Sequence, residues 1–446
     1  MLFKQFVDDD LGCASYMIGD ERSGEAVLVD PAFAIEPYLA ETEGRGVRIV
    51  RVLETHTHAD HVSGHGRLAL EHQVPASVHP AAEVAFAFDR LEDGAELSVG
   101  AVSLRVVHTP GHRPEHCCFV VSDRSRAQEP WLVLSGDSLL VGETARPDLA
   151  AAAREGARDL FDSLRRLLEL EDGVELYPGH VAGSLCGAGM SSKSSSTIGF
   201  ERRFNRSLNL DRAEDFVQAT AEQGSPRPPN MERIVELNRG PFVKRPPEPP
   251  RVSSSEGSVV LDVRPAGQFF EGHVEGALNV PVSGSAFATK AAFLLSPEER
   301  IVIHAGSQEE AGRAARGLNS VGFLELAGYL DQPKTSARLA PLGLGELEEL
   351  MSNGAIELID VREKSERDEG YIPGSRHIPY RLLRASAGAL AGECPVATIC
   401  ETGARAAIAA SVLVASGIDA RPVQDGGVGA WKARGNAVTS FRRCGT

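Results

Sequence analysis

The chain is poor in aromatic residues, in cysteines and in long apolar runs. Aromatics make up 6% of its 446 positions, with only two tryptophans. No stretch reaches the roughly 18–20 apolar residues of a membrane span, and "MLFKQFVDDDLGCASYMIGD" lacks the apolar centre of a secretory leader. The expectation is a cytoplasmic protein without membrane attachment. Seven cysteines (13, 117, 118, 186, 394, 400, 444), an odd number, do not form the framework of a disulfide-stapled secreted domain. At least one is therefore available as a working thiol. Positive charge is short as well: 46 basic against 62 acidic side chains leave a net charge of −16. Such a surface repels phosphate backbones and anionic lipid alike, so nucleic acid is not an expected partner.

A chain of this length suggests about two to four domains. Residues 1–243 alternate β-rich runs such as "EAVLVD" and "VSLRVVHTPGH" with helical ones such as "ARDLFDSLRRLLELED", a pattern of an α/β layered domain. Residues 244–257, "KRPPEPPRVSSSEG", read as a linker. Beyond it the sequence repeats: Asp262-Val263-Arg264 matches Asp360-Val361-Arg362 at a spacing of 98 residues (360 − 262). Two homologous α/β domains over 258–335 and 336–446 are the simplest account.

The donor-rich segments of the first domain each close an apolar run. "IVRVLETH" opens into "THTHADH" with His56, His58, Asp60 and His61; then come "HTPGH" with His112, "LSGDSLL" with Asp137 and "YPGH" with His180. Strand ends are where open α/β sheets place ligands. Imidazole and carboxylate together suit Zn, Fe or Mn, and four such residues within six positions are hard to explain by core packing.

This order of motifs resembles the metallo-β-lactamase superfamily, which implies an αββα sandwich. All seven ligand positions of its two-metal hydrolases are occupied: His56, His58 and His112; Asp60, His61 and His180; and bridging Asp137. Alone, this fits a dinuclear zinc thioester hydrolase of the glyoxalase II kind. Two further segments, "SGDSLLVGETARPDL" and "PRPPNMERIVELN", resemble the persulfide dioxygenases of the same superfamily. That resemblance implies one Fe(II) per chain on His56, His112 and Asp137, a two-histidine, one-carboxylate set that leaves positions open for persulfide and O₂. His58, Asp60, His61 and His180 then act around those ligands or hold a second metal. Arg146 and Asp148 fall in the family's G-x-x-x-R-x-D position, with Arg146 read as a partner of the anionic thiol carrier or as a surface residue bridging to Asp148. Cys186, in a Ser- and Gly-rich segment after His180, is read either as a sulfur relay or as a structural thiol. Cys13, Cys117 and Cys118 read as structural.

In the last domain the run "PVATI" ends at "CETGAR", Cys400 to Arg405, before an Ala-rich helix. A cysteine at such a turn faces backbone N–H groups and the positive end of a helix, which suits a nucleophilic sulfur. The glycine and terminal arginine suit a transferred anion. With "DVRE…GYIPGSRHIP" upstream, the segment is similar to the rhodanese family, whose members carry a persulfide on the loop cysteine. Glu401 departs from the basic residue of many rhodaneses, which sets anionic donors such as thiosulfate at a disadvantage. In the first copy Ala305 falls opposite Cys400 and Glu310 opposite Arg405, so that copy lacks the nucleophile; His304 reads as a strand-end residue.

The whole layout is similar to bacterial persulfide dioxygenase–rhodanese fusions. It implies oxidation of a thiol persulfide (glutathione, coenzyme A or bacillithiol type) to thiol and sulfite, with Cys400 transferring sulfur to sulfite to give thiosulfate, in sulfide detoxification. A homo-oligomer is expected. Two alternatives stand beside it: the zinc thioesterase fused to a sulfurtransferase, and a sulfur carrier or sensor that does not oxidise.

Overall fold

Val- and Leu-rich segments, buried on both faces, build two six-stranded sheets in the first unit of the protein, Met1–Pro246 with Asn319–Gly322. The computed structural model describes residues 1–147, 152–181, 191, 193–221, 227–390 and 394–440. One sheet runs in chain order through Leu2–Asp8, Cys13–Asp20, Glu25–Val29, Arg48–Leu53, Ala76–Val78 and Asp89–Arg90, antiparallel at first and parallel from Glu25–Val29 onward. The other places Leu132–Gly136 between Glu175–Pro178 and Cys117–Asp123, with Ser196–Thr197 beyond the former and Val102–His108 and Glu96–Val99 beyond the latter.

The period of two along each strand decides what faces what. Tyr16, Ile18, Val27 and Leu53 of the first sheet meet Leu104, Val106, Phe119 and Leu134 of the second in one core. The alternate residues point outward: Val107, Cys118 and Val120 pack on Leu160 and Leu164 of helix Ala153–Leu167, and Met17, Leu28 and Val52 pack on Tyr38 and Leu68 of helices Glu36–Arg45 and His65–His72. The result is the expected αββα sandwich. Cys117 and Cys118 are buried on its two faces.

The second unit, Pro247–Leu318 with Phe323–Thr446, carries the repeat. Each copy is a four-stranded parallel sheet of one topology: Leu278–Asn279, Val259–Asp262, Ile301–Ala305, Leu326–Asp331, and Arg376–His377, Glu357–Asp360, Val396–Ile399, Ala420–Pro422. In both, the first strand after the repeat begins lies beside the strand that leads to the Cys400 or Ala305 position, Asp360 pairing with Ile399 and Asp262 with His304. Part of the expected linker is ordered on this unit, since Val252 donates to the Tyr329 carbonyl and Tyr329 to that of Pro250. Among the described residues no helix is long and apolar enough to cross a membrane.

Phe119 is fully buried between the two sheets of the sandwich. Phe119→Ala is expected to cost that unit about 3–5 kcal/mol through lost burial and the cavity left behind, measured as a lowered denaturation midpoint of its transition; a change under about 1 kcal/mol would contradict this packing.

Candidate metal centre

The strand ends of the sandwich bring the donor-rich segments together. His56, His112 and Asp137, all buried, each offer one ligand atom within 4.8 Å of the others. Their orientation follows from hydrogen bonds behind them. Thr55 uses its hydroxyl proton on Asp30 Oδ2 at 2.8 Å, so its oxygen accepts from His56 Nδ1 at 2.9 Å. His112 Nδ1 donates to the Arg146 carbonyl at 3.0 Å. Both rings thereby keep Nε2 as the lone-pair nitrogen, the arrangement by which outer partners fix a ligand's tautomer. His112 Nε2 lies 3.5 Å from Asp137 Oδ2, a buried oxygen with no hydrogen-bond partner among the described residues. Two inward lone pairs and an orphaned carboxylate oxygen are what a divalent cation would satisfy, so these residues fit a metal.

Burial pushes His56 and His112 toward the neutral form that binds a cation: His56 well below the ordinary histidine range, with His58 adding to the effect, and His112 below it against the pull of Asp137. Burial alone would raise the Asp137 carboxyl, but His180 and His112 hold it well below the usual carboxylate range. The carboxylate is therefore ionised and the imidazoles neutral, the charge state of a ready ligand set.

The other sequence-read residues separate into two groups. The His58 ring lies 4.2 Å from that of His56, with its Nε2 3.2 Å from Asp30 Oδ1 and 3.3 Å from Glu54 Oε2. Burial opposes its protonation, yet the two carboxylates raise it well above the ordinary histidine range. Asp60, His61 and His180 gather around Cys13, and His180 Nδ1 also bonds Asp137 Oδ1 at 2.7 Å. Arg146 is largely buried and serves His112 through its backbone carbonyl. Asp148 and Cys186 lie outside the described residues, as does Cys444.

Several residues that hold the site carry no motif of their own. His116 accepts the Asp137 N–H at Nε2, 2.9 Å, and bonds Thr109 Oγ1 through Nδ1, 2.8 Å; burial, then neighbouring His112, pushes it down to about 3, so it remains a neutral acceptor. Asn238, the last residue of "PRPPNMERIVELN", donates to the carbonyls of His58 and His61 at 2.9 and 2.8 Å and accepts the Ser63 N–H at 2.8 Å. It clamps the "THTHADH" loop, which gives that segment a structural reason. Cys13, read from the sequence as structural, stands beside Asp60, His61 and His180 at the start of strand Cys13–Asp20.

The glycines before two of the ligands are dictated by space. Gly136 has φ +48°, and a Cβ there would stand 2.6 Å from His116 Nε2 and 2.8 Å from Thr55 Oγ1; a Cβ on Gly179 would stand 2.7 Å from Asp137 Oδ1.

In the second unit Cys400 is buried at the end of Val396–Ile399, and the Gly403 N–H donates to its sulfur at 3.1 Å. Gly403 takes φ +89°, and Gln424 Nε2 donates to its carbonyl at 2.8 Å. Arg405, read from the sequence as part of the anion cradle, pairs with Glu366, with Nη1–Oε2 at 2.5 Å and Nη2–Oε1 at 2.7 Å. Glu401 accepts the Gly429 N–H at 3.1 Å and stands 3.8 Å from Arg362 Nη1. In the first copy, Ala305 is fully buried and the Gly306 N–H donates to Glu310 Oε2 at 2.6 Å, so a carboxylate of the chain itself sits on the loop amide. His304 faces Asp262 at 3.0 Å.

Residues 8–180 match the family model described as metallo-beta-lactamase superfamily, and residues 251–332 and 344–434 match that of the rhodanese-like domain. The chain is 29% identical over 240 residues to the mitochondrial persulfide dioxygenase of Homo sapiens, an alignment covering 53% of this chain and 87% of that one. It is 30% identical over 254 residues to a probable metallo-hydrolase of Burkholderia pseudomallei, covering 48% of this chain and 83% of that one. A solved metallo-beta-lactamase from Staphylococcus aureus superposes with a TM-score of 0.70 at 28% identity, covering 74% of this chain and 98% of that one.

Gly136→Ala is expected to displace Asp137 by forcing a side chain into His116 and Thr55, and to weaken metal binding about 10–100-fold, the range seen when supporting residues of a metal site are lost. Chelator competition on the two proteins checks it; equal affinities would contradict the crowding.

Proposed function

Because the chain belongs to the metallo-beta-lactamase superfamily and carries two rhodanese-like domains, we propose that it oxidises a low-molecular-weight thiol persulfide with O₂ and transfers a second sulfur to the sulfite formed. Its N-terminal half is similar to persulfide dioxygenases. The observation that carries the reading is that His56, His112 and Asp137 each offer a ligand atom within 4.8 Å of the others, while His58 Nε2 is faced by Asp30 and Glu54. Two imidazoles and one carboxylate suit oxygen-activating ferrous iron, whereas the dinuclear hydrolases use a three-histidine set. His56, His112 and Asp137 would hold one Fe(II) per chain, which would supply the redox chemistry between persulfide and O₂.

The protein's share is orientation. Thr55 and the Arg146 carbonyl keep the two rings in their metal-facing tautomer, His116 fixes the Asp137 backbone, and burial keeps bulk water from the ligands. The overall change is RSSH + O₂ + H₂O → RSH + SO₃²⁻ + 2H⁺. Arg146 and Asp148 are the proposed contacts to the thiol carrier, of the glutathione, coenzyme A or bacillithiol type.

Cys400 then attacks the outer sulfur of a second persulfide, releasing RSH and leaving a persulfide on its own sulfur. Sulfite attacks that outer sulfur, forming the S–S bond of thiosulfate and returning Cys400. The Gly403 N–H donates to the sulfur of the free cysteine. Arg405, through its pair with Glu366, braces the loop.

Full-length protein reconstituted anaerobically with Fe(II) is expected to take up O₂ on addition of glutathione persulfide, in proportion to one iron per chain. Cys400→Ser is expected to keep that uptake while losing thiosulfate and accumulating sulfite. Two bound zinc ions per chain with no O₂ uptake would sink the proposal in favour of the thioesterase, and loss of O₂ uptake in Cys400→Ser would favour a sulfur carrier.

A further inference from the structure

Three side chains, Cys13, Asp60 and His180, form a continuous hydrogen-bonded chain that begins at Cys13 and ends on the proposed iron ligand Asp137. The Cys13 thiol donates to Asp60 Oδ2 at 3.2 Å and lies 3.4 Å from His180 Nε2 and 3.6 Å from His61 Nδ1. His180 Nε2 bonds the same Asp60 oxygen at 2.7 Å, and His180 Nδ1 bonds Asp137 Oδ1 at 2.7 Å. Backbone pairing sets the first link: the Ala14 N–H donates to the Gly179 carbonyl at 2.7 Å and that of Val181 to Gly12 at 2.9 Å, so Cys13 and His180 stand opposite one another. Cys13 is buried, and Asp60 is the charged group it meets.

We infer that Cys13 is a positioning residue for the iron ligand Asp137, acting through Asp60 and His180. The inference rests on the iron reading given above. The relay occupies Asp137 Oδ1 and leaves Oδ2 as the single oxygen facing His112. A carboxylate freed from His180 can turn both oxygens to the metal and fill one of the positions that substrates need. The thiol does this work by steadying Asp60: with a donor on each side, from Cys13 and from His180, the shared oxygen holds the His180 ring in the orientation that reaches Asp137. The residues that hold a second metal in the two-metal hydrolases thus serve as a brace for one.

The test uses full-length protein and Fe(II) binding by anaerobic competition with a ferrous chelator, with the visible ligand-field spectrum of the Co(II)-loaded protein as a second readout. Cys13→Ser, which keeps a donor, is expected to bind iron within about threefold of the parent. Cys13→Ala is expected to bind about 10-fold more weakly, the lower end of the range for lost outer partners, and to shift the cobalt spectrum. Thermal unfolding of the metal-free proteins controls for general damage, and Cys13→Val replaces Cys13→Ala if the latter does not fold. Equal iron affinity in all variants overturns the inference while leaving the iron reading intact. A thiolate-to-cobalt charge-transfer band in the parent that vanishes in Cys13→Ser also overturns it, by making Cys13 a direct ligand. A parent that binds no iron overturns both.

Discussion

Six imidazoles, those of His56, His58, His61, His112, His116 and His180, are buried at one end of a single sandwich, and the cost of that burial governs everything near them. A buried titratable group is tolerated only if it is neutral or paired. The structure uses both solutions within a few ångströms. His56, His112 and His116 stay neutral and spend one nitrogen on a hydroxyl or carbonyl, while His58 and His180 each face two carboxylates. Neutral rings with a free lone pair are suited to bind a metal; rings held by carboxylates are suited to support. The division of labour among histidines of nearly identical sequence surroundings is therefore an electrostatic one, set by which acidic side chains the fold delivers to each ring.

Much of this centre is legible in the sequence because its donors are dense. Four of them lie between His56 and His61, and the rest sit in short strand-end segments whose glycines turn out to have no room for a side chain. The sandwich is legible for a related reason: strands buried on both faces read as unbroken apolar runs, and their alternation with one amphipathic helix of 15 residues leaves few other layered arrangements. What is not legible is the partner of each donor. Asp30, Glu54, His116, Asn238 and Cys13 are single polar residues in unremarkable contexts, and their roles arise from contacts between strands distant in the chain. Cys13 meets His180 across 167 positions and Asn238 reaches His58 across 180. A periodicity argument sees neither, so Cys13 looked like a core thiol.

The two rhodanese-like copies share one scaffold. Strand order matches, as does the register of the first two central strands, and Asp262 and Asp360 each bind the arginine two residues on, Arg264 and Arg362. The difference that bears on sulfur chemistry lies in the loop at the end of the central strand. Around Cys400 the Gly403 amide points at sulfur; in the first copy Ala305 offers no sulfur and Glu310 caps the Gly306 amide. Loss of the nucleophile left an amide pointing into a small cradle, and an acidic side chain satisfies it at little cost. The position of Arg405 was readable from the sequence, but its partner Glu366, 39 residues earlier, was not. That pairing removes a free positive charge from the loop.

This neutralisation bears on how two sulfur chemistries share a chain. With Arg405 on Glu366, Arg362 on Asp360 and Glu401 at the rim, the approach to Cys400 has no unpaired guanidinium among these residues to concentrate dianions. A thiosulfate donor gains little there, whereas a persulfide reacts through its neutral outer sulfur and needs no such field. On the proposed function, sulfite, itself an anion, would have to be supplied at high local concentration rather than drawn in by charge. A sulfite-forming site on the same polypeptide would do that by tethering, through the effective concentration a covalent link imposes. The acidic loop and the proposed dioxygenase would in this sense be complementary: the first withholds long-range attraction for anions in general, and the second would make that attraction unnecessary for the one anion the proposed reaction consumes.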